Sequence, residues 1–360
     1  MTKVTENKKV YLALSGGVDS AVSAYLLKEQ GYDVVGCFMK NWSGSDFGIV
    51  GDCPWEADQK DAEAVCKHLD IPFRSFNFEK EYRARVIKYF FDEIKNGRTP
   101  NPDVLCNRDI KFGIFLDKAL ENGADLIATG HYARVQFNEK NQEFELLKGV
   151  DDNKDQSYFL CELNQVQLSK SLFPVGGYTK PEIRKIAEQQ NLPVAKKPDS
   201  QGICFIGKIN VGKFLRENVK VHSGDIIDID SGKKVGTHDG IEFYTIGQRE
   251  GLKIGGASEP YFVSKKDKSQ NILYVAKGKS NPKLFSKNVQ FENLVWINNI
   301  QNVELNNLTA QIRYRQKAVS GKLNLKNNTF VFDYPQRAVA EGQLLAIYEG
   351  EILRASATIK

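Results

Sequence analysis

The chain has 360 residues, 41% apolar and 26% charged, with 50 Lys+Arg against 45 Asp+Glu and a formal net charge of +5. This composition excludes a disordered tail, a collagen and a disulfide miniprotein, and the length predicts two or three domains. No run of 18 apolar residues occurs, and the apolar run from Val10 to Leu14 is too short for a signal peptide, so a cytoplasmic protein without a membrane span is expected.

In chain order, Val10 to Leu14 reads as a buried strand and ends in Ser15-Gly16-Gly17. Asp19 to Gln30 has helical spacing and stops at Gly31, and Val34 to Met39 reads as the next strand. The alternation continues with a helix over Trp55 to Leu69, a strand over Phe73 to Phe78 and a helix over Glu79 to Lys95. Arg98 to Arg108, with two prolines, reads as a loop; Lys111 to Glu121 then reads as a helix and Asp125 to Thr129 as a strand. Pro181 to Gln190 reads as one more helix, with proline in its first turn. Such a series predicts an α/β domain, a doubly wound parallel sheet.

After about residue 210 the texture changes to short β-type runs between glycines. Examples are Asp225 to Ile229, Ile241 to Ile246, Tyr261 to Ser264, Ile272 to Ala276, Thr309 to Arg315, Gly321 to Leu325, Thr329 to Phe332 and Leu344 to Tyr348. These predict a small central domain and a C-terminal β-barrel, with divisions at 1–210, 211–282 and 283–360. Residues 281–360 hold 10 basic against 6 acidic residues, so most of the net charge sits in the last fifth of the chain. A solvated basic surface and a polyanion-binding surface both fit that surplus.

Ser15-Gly16-Gly17-Val18-Asp19-Ser20 joins a strand to a helix N-terminus, where backbone N–H groups and the helix dipole favour an anion. It has neither the lysine of a Walker A loop nor the spacing of a dinucleotide fingerprint. The plainer alternative is a tight turn with Asp19 as helix cap. None of the six cysteines, at 37, 53, 66, 106, 161 and 204, forms a C-x-x-C pair, which argues against a zinc ribbon and a thioredoxin-type motif. Cys37, Cys66 and Cys161 lie in apolar settings and are expected in the core. Cys106, expected near a helix N-terminus beside Arg108 and Lys111, has surroundings that favour thiolate.

The S-G-G-x-D-S loop resembles the PP-loop of the ATP pyrophosphatases. Asn101-Pro102-Asp103-Val104-Leu105-Cys106-Asn107-Arg108, Thr129 to Arg134, Lys154 to Tyr158, Gly202 to Gly207 and Phe243 to Arg249 together resemble the tRNA-specific 2-thiouridylase (MnmA) family, from residue 10 to about 348. The sequence departs from that pattern at Glu341, where the family commonly has proline. The resemblance implies ATP-dependent 2-thiolation of the wobble uridine of tRNA, through adenylation of the C2 oxygen and sulfur transfer from a cysteine persulfide. It implies ATP and Mg2+ as cofactors, with no resident protein-bound metal. The implied partners are tRNA and a persulfide sulfur donor, either a cysteine desulfurase or a sulfur-relay protein.

By the same resemblance Cys204 carries the persulfide, Cys106 is its partner, and Asp103 contacts the target base and handles its proton. Ala13, Leu14, Ser15, Gly16, Gly17, Val18, Asp19, Ser20 and Met39 form the ATP site, with Gly130 lining the adenine pocket. Asn101, Pro102, Asp103, His131, Lys154, Asp155 and Gln156 are expected at the tRNA or its target base, and Arg313, Tyr314 and Gln343 are barrel candidates for RNA contact. A PP-loop synthetase acting on a small molecule and a non-catalytic RNA-binding protein are the competing readings. An iron–sulfur cluster on two cysteines and a carboxylate also stays open.

Overall fold

The computed structural model describes residues 8–43, 55–199, 222–256 and 258–360. The first unit is a parallel sheet of β1 (Lys9–Ala13), β2 (Asp33–Lys40), β3 (Phe73–Asn77) and β4 (Leu126–Thr129). A hairpin follows, β5 (Ala133–Asn138) and β6 (Glu143–Lys148), and then the short β7 (Ser171–Leu172), which returns to the sheet. Strand order is β3-β2-β1-β4-β7, with every neighbouring pair parallel. The order reverses between β1 and β4, so a crevice opens beyond their carboxyl ends.

Both faces of the sheet are covered, because its strands are apolar at successive positions. Val10, Leu12, Val34 and Phe38 pack with α1 (Val18–Glu29), α2 (Trp55–Leu69) and the Lys180–Gln189 helix through Val22, Leu27, Val65 and Ile183. Tyr11, Ala13, Val35, Cys37 and Met39 face the opposite core, which also holds Val104, Leu105, Cys106, Phe112 and Cys161. Cys37, Cys66 and Cys161 are buried, as their apolar settings predict.

Three expectations need correction. The segment read as a loop up to Arg108 is helical from Pro102: Pro102–Leu105 runs into a wider π-helical stretch, Cys106–Ile114, and then Phe115–Glu121. Proline occupies the first helical position, where its missing N–H costs nothing, and the Asn101 side chain caps the start. Ile241 to Ile246 is not a strand but a short 3-10 turn, Ile241–Phe243, that runs into loop. Arg313 to Arg315 is likewise not strand, because its strand ends at Gln311 and Arg315 takes φ +61° in the turn that follows.

The central unit is a four-stranded sheet of β8 (Gly224–Asp228), β9 (Lys234–His238), β10 (Tyr261–Asp267) and β11 (Ile272–Lys277), ordered β10-β11-β8-β9. The C-terminal unit has β12 (Phe285–Trp296), β13 (Leu308–Gln311), β14 (Val319–Asn324), β15 (Thr329–Arg337), β16 (Leu344–Glu349) and β17 (Ile352–Ile359). Order β12-β15-β14-β13-β16-β17, with β17 pairing back onto β12, closes a six-stranded barrel. Closure leaves no open sheet edge.

The barrel is not a detached module. β6 pairs with β17 through Leu147↔Ile352 and Leu146↔Leu353, and Arg354 reaches Glu145 at 3.2 Å. Leu344, Ala346, Tyr348 and Leu353 of the barrel complete the core that contains Cys106. Among the described residues no helix is long and apolar enough to cross a membrane.

Candidate active site

The Ser15–Ser20 loop leaves the carboxyl end of β1 at the point where strand order reverses. Gly16 adopts φ +72°, and a Cβ there would lie 2.4 Å from the Asp58 carbonyl oxygen, so only glycine fits. Gly17, not Asp19, is the residue before the first turn of α1, and no side chain caps that helix. The reading of Asp19 as a helix cap is therefore excluded, and among the described residues no N-cap side chain satisfies the N-terminal amides of α1. Ser20 Oγ donates to Gly17 O at 3.0 Å and accepts the Ser15 N–H at 3.2 Å, which fixes the loop from within. Gly130, at the end of β4, presses on this turn: a Cβ there would come 2.8 Å from Ser20 N.

Two lysines hold the loop in place. Lys197 Nζ donates to Gly16 O at 2.9 Å and to Asp58 and Asp61 at 2.6 Å each, tying the loop to α2. Lys180 Nζ bridges Asp19 (2.7 Å) and Asp199 (2.8 Å), and Asp19 also accepts the Tyr132 hydroxyl at 2.7 Å. Asp199 takes further ion pairs from Lys154 and Arg184. Burial works against the Asp199 carboxylate, but hydrogen bonds and charge from Lys154 and Lys180 outweigh it and hold it well below the usual range. Burial, reinforced by the Asp19 charge, pushes the Tyr132 phenol far up, so it stays a hydrogen-bond donor.

Asp103 and Cys106 lie on the helix that starts at Pro102, its entry fixed by Val104 N–H donating to Asn101 Oδ1 at 3.3 Å. Asp103 is in the first turn and partly exposed; Cys106 is in the second turn and fully buried, in the same core as Met39 and Trp42. The Arg108 guanidinium is engaged by Asp109 (2.7 Å) and Glu162 (2.8 Å). Cys204 and its block, and Cys53, lie outside the described residues. Asn41, between Met39 and Trp42, is 2% exposed, and neither its Oδ1 nor its Nδ2 has a hydrogen-bond partner; Asn107 Oδ1 is in the same condition.

Among the residues expected at tRNA, Lys154 pairs with Asp199. Asp155 accepts from Gly149 N, Ser157 N and Ser157 Oγ, and Gln156 Oε1 accepts from Tyr132 N. This turn thus backs the loop that Asp19 and Tyr132 define. His131 is 8% exposed, in contact with Thr129 Oγ1 at 2.6 Å and packed against Phe112 and Phe173. Burial, and then the charge of Lys111, hold it well below its ordinary range, so it is neutral at pH 7. Arg313 is exposed and donates to Arg337 O, while the Tyr314 ring packs on Phe159 with centroids 4.4 Å apart. Gln343 donates its amide to Thr99 and Pro100.

Sequence reasoning missed Tyr132, Lys180, Lys197, Asp58, Asp61 and Asn41, whose roles come from contacts across 100 or more residues or from burial. The one local signal was Thr179-Lys180-Pro181-Glu182, a capping box that marks where the Lys180 helix begins. Among the described residues no cluster of three or more His, Cys, Asp or Glu could hold a metal ion.

Three family models match: the tRNA methyl transferase HUP domain over residues 8–208, the tRNA methyl transferase PRC-barrel domain over 212–277, and the aminomethyltransferase beta-barrel domain over 286–359. The chain is 49% identical to the tRNA-specific 2-thiouridylase MnmA of Alkaliphilus oremlandii, covering 100% of this chain and 99% of that protein. The chain belongs to the tRNA-specific 2-thiouridylase MnmA family. Other MnmA proteins agree: that of Staphylococcus saprophyticus is 47% identical, covering 98% of this chain and 95% of its own length. That of Lacticaseibacillus paracasei is 49% identical, covering 98% and 94%. As an MnmA-family member the chain is an enzyme of the sulfurtransferase class, and its PP-loop architecture implies use of ATP.

Proposed function

We propose that the chain is an ATP-dependent tRNA uridine 2-sulfurtransferase that replaces the C2 oxygen of the wobble uridine by sulfur. The observation that carries this reading is an uncapped loop–helix junction at the switch point of the sheet, with Cys106 buried in the same core as Ala13 and Met39 near the carboxyl ends of β1 and β2.

The uracil oxygen is a poor leaving group until it is adenylated. The α1 amides are suited to the outer phosphates, which depart as pyrophosphate when the uracil oxygen takes the α-phosphoryl group. Lys180 supplies the cation that the loop itself lacks. Mg2+ carried on the phosphates would be held by the Asp19 carboxylate, the only acidic group in Ser15–Ser20, and would neutralise charge on the leaving group.

Asp103, partly exposed on the first helical turn, takes the N3 proton as the oxygen attacks and later returns it. The terminal sulfur of a Cys204 persulfide bonds to C2, and AMP leaves with the former C2 oxygen. The Cys106 thiolate attacks Cys204 Sγ; that S–S bond breaks, sulfur stays on C2, and a Cys106–Cys204 disulfide forms. A cellular thiol reductant resets the pair, and a cysteine desulfurase or sulfur-relay protein reloads Cys204. Asn41 and Asn107 present buried polar atoms beside this chemistry that a bound ligand would satisfy.

The tRNA path in this reading runs from the Lys154–Gln156 turn and His131 past Asn101–Asp103 to Arg313 and Tyr314 of the barrel. The test is the fate of ATP: AMP and pyrophosphate as products, at a rate that depends on tRNA. ADP as the main product would overturn it, and tRNA-independent turnover would favour a synthetase acting on a small molecule.

A further inference from the structure

One turn of the barrel reaches into the α/β unit at the residues that lead into Asp103 and Cys106. The Glu341 carbonyl accepts the Thr99 N–H at 2.7 Å. Gln343 Nε2 donates to Thr99 O at 2.9 Å and to Pro100 O at 3.1 Å. Gly342 takes φ +86°, and a Cβ there would lie 3.1 Å from both Thr99 N and Thr99 O, so the two backbones touch. The Leu344 carbonyl accepts the Tyr158 hydroxyl at 2.9 Å, and the Asn101 side chain also hydrogen-bonds that hydroxyl.

The other end of this strut is anchored in the barrel. Gly342 N donates to Ile359 O, and Ile359 N donates to Gln343 O, each at 2.8 Å. The stretch it grips lies between the end of one helix at Lys95 and the start of the next at Pro102, and belongs to neither. Pro100 and Pro102 have no N–H, so the stretch has few donors with which to brace itself. Both hydrogens of the Gln343 amide are engaged by carbonyls, so this amide has no donor left for an RNA phosphate.

We propose that Gln343 is a positioning residue for the sulfur-transfer site: its amide fixes the Thr99–Asn101 lead-in and so sets where Asp103 and Cys106 stand. This rests on the sulfurtransferase reading above. It differs from a direct RNA contact, because Gln343 acts through the protein backbone. Glu341, where proline is common in the family, contributes its carbonyl here, a group proline would also supply.

The test uses the full-length protein with Gln343→Met, Gln343→Glu and Gln343→Lys. Methionine removes both donors, glutamate puts an acceptor against two carbonyls, and lysine restores donors. Three readouts apply: tRNA affinity, single-turnover thiolation at saturating tRNA, and the peptide-resolved alkylation rate of Cys106, which is buried in the folded state. Gln343→Met and Gln343→Glu should slow thiolation at least tenfold and raise Cys106 alkylation at least fivefold. Gln343→Met should leave tRNA affinity within about threefold, and Gln343→Lys should recover much of the wild-type rate.

Tenfold weaker tRNA binding by Gln343→Met, with normal thiolation at saturation and normal alkylation, would overturn the proposal in favour of RNA contact. Wild-type behaviour of both Gln343→Met and Gln343→Glu would overturn it outright. If either fails to fold, Gln343→Lys decides: a folded but slow lysine variant with wild-type alkylation contradicts positioning. Should the wild type itself not thiolate tRNA, the function falls, and Cys106 alkylation still judges Gln343.

Discussion

Replacing Lys180 by methionine keeps the side chain's length and removes only its charge and donors. Three contacts are lost, at 2.7 and 3.0 Å to Asp19 and 2.8 Å to Asp199. A hydrogen bond to a charged group contributes about 1.5–3 kcal/mol net when shielded. Asp19 and Asp199 are 31% and 35% exposed in their side chains, so solvent screening cuts that figure. Asp199 keeps Lys154 and Arg184, whereas Asp19 keeps only the Tyr132 hydroxyl among these partners. The expected loss of folding stability is therefore modest, about 1–2 kcal/mol by urea denaturation. The functional loss is larger, because an uncompensated Asp19 would face incoming phosphates: about 3 kcal/mol, or roughly a hundredfold in kcat/KM for ATP. Pyrophosphate release under tRNA saturation measures it, and Lys180→Arg, with the charge in a different shape, should fall between. A folded Lys180→Met enzyme releasing pyrophosphate within twofold of wild type would refute the role given to Lys180.

Gly16→Ala combines a left-handed backbone with a Cβ 2.4 Å from the Asp58 carbonyl; urea denaturation should show a loss of roughly 2–4 kcal/mol, and ATP affinity should fall with it. Asn41→Leu removes two unsatisfied buried polar atoms, so it should raise stability by about 1 kcal/mol while slowing thiolation; a variant that gains stability and keeps full activity would deny Asn41 a ligand. Burial brings the Lys266 ammonium down to about 8 despite Glu242 and Glu341, with Lys268 adding to the shift. The unfolded chain then holds that proton up to about pH 10.4, so this group's contribution to stability rises with pH from 8 to about 10.4. Lys266→Met should flatten that rise in a pH series of urea midpoints, and an unchanged slope would contradict it.

Much of the α/β unit was legible because apolar strands and amphipathic helices alternate locally. Val10–Leu14 and Trp55–Leu69 coincide with β1 and α2 to within a residue. The helix at Pro102 was hidden by the prolines at 100 and 102: Pro102 reads as a breaker, yet it stands at the first helical position behind an Asn cap. The β5–β6 hairpin carries no strong turn signal and gains its partner, β17, from two hundred residues away. That pairing buries barrel residues in the core around Cys106, so truncation before residue 283 would expose that core and does not isolate RNA binding. At the site, Ser15–Ser20 was legible because a Gly-Gly turn after a buried strand has a local cause. Lys180 and Lys197 were not, because the carboxylates through which they reach the loop and α2, Asp19 for Lys180 and Asp58 and Asp61 for Lys197, lie more than 130 residues away in sequence. Nothing local to Gln343 in the sequence reveals its hydrogen bonds to Thr99 and Pro100.

The most direct measurement is nucleoside analysis of tRNA after incubation with the protein, ATP, Mg2+ and a persulfide source, run beside Cys106→Ser and Cys204→Ser. The account predicts 2-thiouridine from the wild type, with one AMP and one pyrophosphate for each sulfur inserted. It predicts none from either serine variant, because a hydroxyl can neither carry sulfane sulfur nor close the disulfide that releases it. Formation of 2-thiouridine at the wild-type rate by either variant, or ADP in place of AMP, would contradict it.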